Sequence, residues 1–173
     1  TPSEKTAFDQ LYTHYFYHRH NDFWYHEAMK KLPELTDSTR MLVCGEDLGM
    51  IPDCVKGVMD ELRILSLEIQ RMPKNPAETF GDPAHYPNRS VCTISTHDMS
   101  TLRGWWHEDA NLTRRYFYDV LGGWGDYPTE APGWLCDSIV LKHLLGNSML
   151  CILSLQDWLS INEEVRYPDA DAE

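Results

Sequence analysis

Four short apolar runs, each closing in a polar cluster, constrain this chain more than any other feature. Arg40–Cys44 leads into Glu46-Asp47. Ile64–Ile69, interrupted by Glu68, leads into Gln70-Arg71. Val91–Ile94 leads into Thr96-His97-Asp98, and Met149–Leu155, interrupted by Ser154, leads into Gln156-Asp157. Near-continuous apolar runs of this length are the mark of strands buried on both faces of a parallel sheet. Helix signals separate them. Pro52 or Asp53 opens a helix with Val55, Val58, Met59 and Leu62 on one face. Ser100–His107 and Asn111–Leu121 read as helices, the second ended by Gly122-Gly123, and Pro132 opens another from Trp134 to Leu145 with Gly146 as its stop. This alternation predicts an α/β fold with a parallel sheet and right-handed crossovers.

Residues 1–38 form a helical lead-in. Phe8, Leu11, Tyr12, Tyr15 and Phe16 make an apolar stripe over Thr6–Tyr17, with Ser3 as a candidate cap. A second helix, capped by Asn21 or Asp22, is expected from Phe23 to Leu32 before Pro33. Residues 39–160 hold the strands and crossover helices. The link from Gln70 to Val91, with Pro73, Pro76, Pro83 and Pro87, and the stretch Gly123–Gly133 read as loops, and 161–173 as an acidic tail.

Composition narrows the partners. At 173 residues the chain is the size of one domain, and a net charge of −12 argues against a nucleic-acid backbone as ligand. No apolar stretch approaches the ~20 residues of a membrane span, and no signal-peptide pattern opens the sequence. The five cysteines include no C-x-x-C pair. Cys44, Cys92 and Cys151 lie in apolar runs, where they read as small buried hydrophobes, which points to a reducing compartment and hence the cytoplasm. His14, His18 and His20 invite a metal reading, but no acidic or cysteine ligand is suitably spaced, so neither metal nor cofactor is expected.

All four polar clusters fall on the same end of their strands, which in a (β/α) barrel is the active-site face. This gathers Glu46, Asp47, Gln70, Arg71, His97, Asp98, Gln156 and Asp157 on one rim. Carboxylates from different strands suit glycosidic bond cleavage, where one protonates the leaving oxygen and others stabilise an oxocarbenium-like transition state. Structural roles compete with this: Asp47 pairing with a neighbouring strand end, Asp98 capping the helix near Ser100.

Gly45-Glu46-Asp47-Leu48-Gly49, and Thr96-His97-Asp98-Met99-Ser100-Thr101 with Gly104-Trp105-Trp106, resemble the 4-α-glucanotransferases of the amylomaltase or disproportionating-enzyme family. Tyr15-Phe16-Tyr17-His18-Arg19-His20-Asn21-Asp22-Phe23-Trp24 resembles its larger, plant-cytosolic type, and His85-Tyr86-Pro87 and Gln156-Asp157 match further stretches in order. The resemblance implies a retaining (β/α)8-barrel transferase that cuts an α-1,4-glucan, holds a covalent glucosyl-enzyme and passes the sugar to another glucan or glucose. It makes Glu46 the general acid/base, Asp98 the transition-state stabiliser and His97 a sugar contact. Asp47, Gln70, Arg71, Gln156, Asp157 and Trp105 are expected to bind substrate.

The family's nucleophile is an aspartate closing the fourth barrel strand, and nothing before Met41 reads as such a strand. The chain therefore reads as strands five to eight of the barrel, inactive alone, with open edges at Arg40–Cys44 and Met149–Ser154 that are expected to self-associate. The competing readings are an amylase-like α-glucan hydrolase and a non-catalytic glucan-binding or interaction fragment using Trp105, Trp106, Trp124 and Trp134.

Overall fold

In the computed structural model, which describes residues 1–162, the chain separates after Leu67 into two units. Unit 1 begins with helix α1 (Pro2–Thr13), capped by Thr1 rather than Ser3: the Thr1 side chain accepts from the Glu4 amide and Glu4 reaches back, a capping box. A π-helical turn, His14–His18, continues α1. The stripe from Phe8 to Phe16 lies along these two elements but stays exposed.

Helix α2 (Asn21–Asp37) does not stop before Pro33 but runs through it. Proline there removes one backbone donor, and the turn beyond it closes regardless, with Thr36 Oγ1 donating to Pro33 O at 2.9 Å and Ser38 N to Glu34 O at 3.0 Å. Helix α3 (Cys54–Leu62) buries Val58 and Met59, as its periodicity predicts. It packs against α2, and Tyr25 Oη donates to Glu61 Oε2 at 2.8 Å. Arg63, left-handed at φ 57°, ends α3.

The first apolar run is not a strand. Its backbone is bridged in parallel at one position, Cys44 to Leu65, and Met41 remains 78% exposed. A run with a single bridge lacks the flanking strands that would bury its faces, so Cys44 is exposed too. The predicted open edge at Arg40–Cys44 is thus one bridge rather than a strand edge.

Unit 2 is built on a three-stranded sheet in the order β1–β2–β3. Strand β1 (Ser66–Ile69) starts two residues before the unit boundary, β2 (Ser90–Thr93) is buried throughout, and β3 is Leu150–Cys151. β2 and β3 are parallel, Val91 opposite Leu150 and Cys92 opposite Cys151. The fourth apolar run therefore yields two strand residues. It then turns at Ser154, which caps helix α7 (Leu155–Leu159), so Gln156 and Asp157 sit on a helix and not on a strand end.

Helix α4 (Leu102–Glu108), helix α5 (Ala110–Arg115) with its π-helical continuation Tyr116–Val120, and helix α6 (Gly133–Leu144) lie between β2 and β3 in the chain. Their inner faces make the core, in which Ile94, Leu102, Trp105, Trp106, Tyr116, Phe117, Leu135, Ile139 and Val140 cluster. Its aromatic rings meet mostly edge-on, as at Trp105–Tyr116, 5.1 Å between centroids. Cys136 is buried here and Cys92 is buried in β2, while Cys151 is half-buried. The proline-rich link carries only a 3-10 turn, Pro83–His85. It is tied back by Gly81 N to Gln70 O at 2.8 Å and Asn147 N to Pro83 O at 2.8 Å. Of the predicted tail, all but Ile161 and Asn162 lies outside the described residues.

Candidate active site

In unit 1 the segment after the Cys44 bridge passes close over α3. A Cβ at Gly45 would stand 3.2 Å from the Met59 methyl and 3.3 Å from Ile64, so a residue without a side chain suits this position. The next two side chains part. Asp47 is buried and accepts from the Leu67 amide at 2.9 Å, anchoring the segment, while Glu46 is exposed.

In unit 2, β2 feeds the turn Thr96–Ser100. Thr96 closes it from within: its Oγ1 accepts from Asp98 N at 3.3 Å and its carbonyl from Met99 N at 3.2 Å. His97 and Asp98 project outward, their side chains 87% and 74% exposed, with His97 Nε2 3.2 Å from Asp98 Oδ2. The helix that follows takes its cap elsewhere. Thr101 Oγ1 accepts from Gly104 N at 3.3 Å, so Asp98 is not a capping residue. Thr101 immediately before Leu102 carries a cap signal that sequence reasoning passed over.

The other expected substrate contacts divide. Gln70 is 2% exposed. Its Nε2 donates to Gly81 O at 3.0 Å and its Oε1 accepts from Tyr116 Oη at 2.5 Å, so both ends of the amide are used inside the protein. Trp105 is 5% exposed, between Phe80, Trp106 and Tyr116, with the Arg71 guanidinium 5.2 Å over its ring. A ring so enclosed offers no face to a sugar. Arg71 donates from Nη2 to Ile94 O at 3.0 Å and Ser100 O at 2.8 Å. Burial pulls its pKa below the usual guanidinium value, opposed by the charge of Asp157.

Asp157 is fully buried. Its Oδ2 accepts from Ser95 Oγ and its Oδ1 from Leu102 N at 3.1 Å. Gln156, on the outer side of α7, is exposed. The structure thus brings Arg71 and Asp157 to the base of the His97–Asp98 turn and turns Gln70 and Trp105 into the core. Sequence reasoning missed Tyr116, the partner of Gln70, and Ser95, the partner of Asp157, since pairs 46 and 62 residues apart leave no local signal.

Of the remaining candidates, Trp106 is buried, with Nε1 donating to Pro128 O at 2.8 Å, whereas Trp124 and Trp134 are exposed. His18 Nδ1 meets Asp53 Oδ2 at 2.6 Å. Among the described residues no group of three or more His, Cys, Asp or Glu is placed to hold a metal ion, and no helix is long and apolar enough to cross a membrane.

A parallel sheet with helices between its strands defines an α/β protein. The structure superposes on an amylomaltase from Streptococcus agalactiae, solved in complex with acarbose, with a TM-score of 0.56 at 17% identity, over 73% of this chain and 26% of that one. The profile described as 4-alpha-glucanotransferase (Glyco_hydro_77) matches residues 1–172, and the chain belongs to this family. It is 41% identical to the rice 4-alpha-glucanotransferase DPE2 over 92% of this chain. It is 33% identical to the 4-alpha-glucanotransferase of Haemophilus influenzae over 61% of this chain. It spans 17% of the rice protein and 14% of the Haemophilus one.

Proposed function

We propose that this chain supplies the proton donor and a transition-state-stabilising carboxylate of a 4-α-glucanotransferase acting on α-1,4-glucans. Glu46 is the general acid/base, Asp98 the stabilising carboxylate and His97 a hydroxyl contact. The observation that carries the reading is the exposed His97–Asp98 pair. It stands on a turn closed by Thr96, and the adjacent helix is capped by Thr101, so Asp98 is not taken up as a helix cap. Membership of the family supports the same reaction. Within it, the sheet of unit 2 corresponds to part of a (β/α)8 barrel, strands six to eight in our reading, with the run at Arg40–Cys44 as the fifth.

The roles follow from the chemistry. Glu46 delivers a proton to the departing glycosidic oxygen, then takes one from the incoming acceptor hydroxyl. The Asp98 carboxylate stabilises the positive charge that develops on the sugar ring in the transition state of each step. The covalent step needs a nucleophilic carboxylate on the opposite face of the sugar. Residues 2–37 are helical apart from the junction at Arg19-His20. Among the described residues no strand precedes Met41 to present one, and the nucleophile comes from outside them.

Glu46→Gln and Asp98→Asn, made in the complete polypeptide and assayed for maltotriose disproportionation, test the reading. Both are expected to lose transfer. With α-maltosyl fluoride, whose leaving group needs no protonation, Glu46→Gln should recover the first step while Asp98→Asn stays inactive. Full transfer by either variant on maltotriose would refute its assigned role.

A further inference from the structure

Two charged residues, the part-buried Arg71 and the buried Asp157, grip the same turn. Arg71 Nη2 donates to Ile94 O at 3.0 Å on the entry side and to Ser100 O at 2.8 Å on the exit side, with Nη1 3.4 Å from Ser100 Oγ. Asp157 accepts from Ser95 Oγ on the entry side and from Leu102 N at 3.1 Å on the exit side. Each therefore bridges the two chain ends that bound Thr96–Ser100. We propose that Arg71 and Asp157 are positioning residues that clamp both ends of this turn and so fix the direction in which His97 and Asp98 face the glucan. The proposal rests on the roles given to His97 and Asp98 above.

The chemistry of the two groups fits the task. A guanidinium is a rigid planar fork of donors and spans two carbonyls at once, which a lysine ammonium on a flexible stem does not. Trp105 lies against the Arg71 plane at 5.2 Å and holds it in place. A carboxylate is acceptor-only when ionised, and its two oxygens take one donor from each end of the turn. Asp157 is in turn held at the start of α7, its amide donating to the Ser154 cap at 3.1 Å. Asp157 is fully buried beneath the turn, while His97 and Asp98 stand exposed on it.

The test is Arg71→Lys and Asp157→Asn in the complete polypeptide, with kcat and KM for maltotriose disproportionation and the melting temperature measured side by side. A displacement of about 1 Å at a reacting group costs on the order of 10²-fold in rate. A loss of that size in kcat with KM little changed is expected, and the double variant should lose less than the product of the two single losses, because both act on one turn. Ser95→Ala, which removes one bond to Asp157 without touching a charge, should show the same pattern more weakly and serves if a charged-site variant does not fold. A rise in KM at unchanged kcat would show direct sugar contact and overturn the proposal. So would unchanged kcat and KM with only a lowered melting temperature. Asp98→Asn separates the two readings. If it retains transfer, the assignment of Asp98 fails. If it abolishes transfer while Arg71→Lys and Asp157→Asn keep the wild-type kcat, the clamp alone fails.

Discussion

Replacing Tyr116 by Phe tests the reassignment of Gln70 from substrate contact to internal brace. Tyr116 is fully buried, and its hydroxyl donates to Gln70 Oε1 at 2.5 Å, while Gln70 Nε2 donates to Gly81 O at 3.0 Å. Removing the hydroxyl keeps the ring packing against Trp105 and Phe80 but leaves a buried amide oxygen without its donor. A hydrogen bond exchanged for water contributes about 1 kcal/mol, whereas a buried acceptor left unpaired costs about 1–3 kcal/mol. The second case applies here, so Tyr116→Phe should destabilise by about 2 kcal/mol, or roughly 4–8 °C in melting temperature for a chain of this size. Gln70→Met, of similar volume, should cost a comparable amount, and the pair should show a coupling of about 0.5–3 kcal/mol in a double-mutant cycle. Urea titration followed by tryptophan fluorescence reads all three, since Trp105 and Trp106 both contact the Tyr116 ring. Calorimetric titration of Gln70→Met with maltotriose, in the complete polypeptide, should show wild-type affinity. A neutral Tyr116→Phe, or a Gln70→Met of unaltered stability that no longer binds maltotriose, would refute the reasoning.

Two further outcomes concern stability. His143 is 2% exposed, with Nδ1 2.8 Å from Ile139 O, and burial lowers its pKa below the ordinary 6.5. The unfolded chain therefore binds this proton at a higher pH than the folded one, so the stability is intact above 6.5 and declines as pH falls from there toward the folded value. The slope is at most about 1.4 kcal/mol per pH unit, and His143→Leu should flatten it in urea titrations run across this range. Among glycines, Gly57 lies inside α3, where an added Cβ would meet nothing within 4 Å, so Gly57→Ala should stabilise by about 0.5–1 kcal/mol. A Cβ at Gly123 would come within 2.4 Å of the buried Phe117 ring, so Gly123→Ala should instead cost about 1–3 kcal/mol, and thermal melts of both variants check the contrast.

Much of the α/β pattern was legible because it rests on local rules. Val58 and Met59 face inward on α3 as their spacing requires, and the runs at Ile64–Ile69 and Val91–Ile94 became β1 and β2 within a residue or two. Arg40–Cys44 carries the same apolar signal yet has one bridge, because periodicity records an affinity for neighbours and not whether the fold supplies them. Pro33 misleads for a related reason. Its penalty is local, and the helix gains enough from the turn beyond it to continue. Glu46, His97 and Asp98 stand out through motif, which is local too. The orientation of Gln70, Arg71, Trp105 and Asp157 was not legible, since it depends on partners far along the chain.

Why those strand-end polar residues turned inward follows from the backbone. Where a strand stops and a helix has not begun, carbonyls and amides lose their ladder partners, and buried ones must be paired. Around the His97–Asp98 turn the groups in need are the carbonyls of Ile94 and Ser100 and the amide of Leu102. Carbonyls call for a group rich in donors and an amide for an acceptor, which are the properties of arginine and aspartate. Arg71 and Asp157 match that demand one for one, and Asp47 meets the same need at the Leu67 amide in unit 1. A rim of polar residues at strand ends is therefore a mixture. Some members face solvent, as Glu46, His97 and Asp98 do, and others satisfy the irregular backbone that lets them stand there. Counting charges at strand ends overestimates a binding site by the number needed to satisfy the turns beneath it, and in unit 2 that number is at least two.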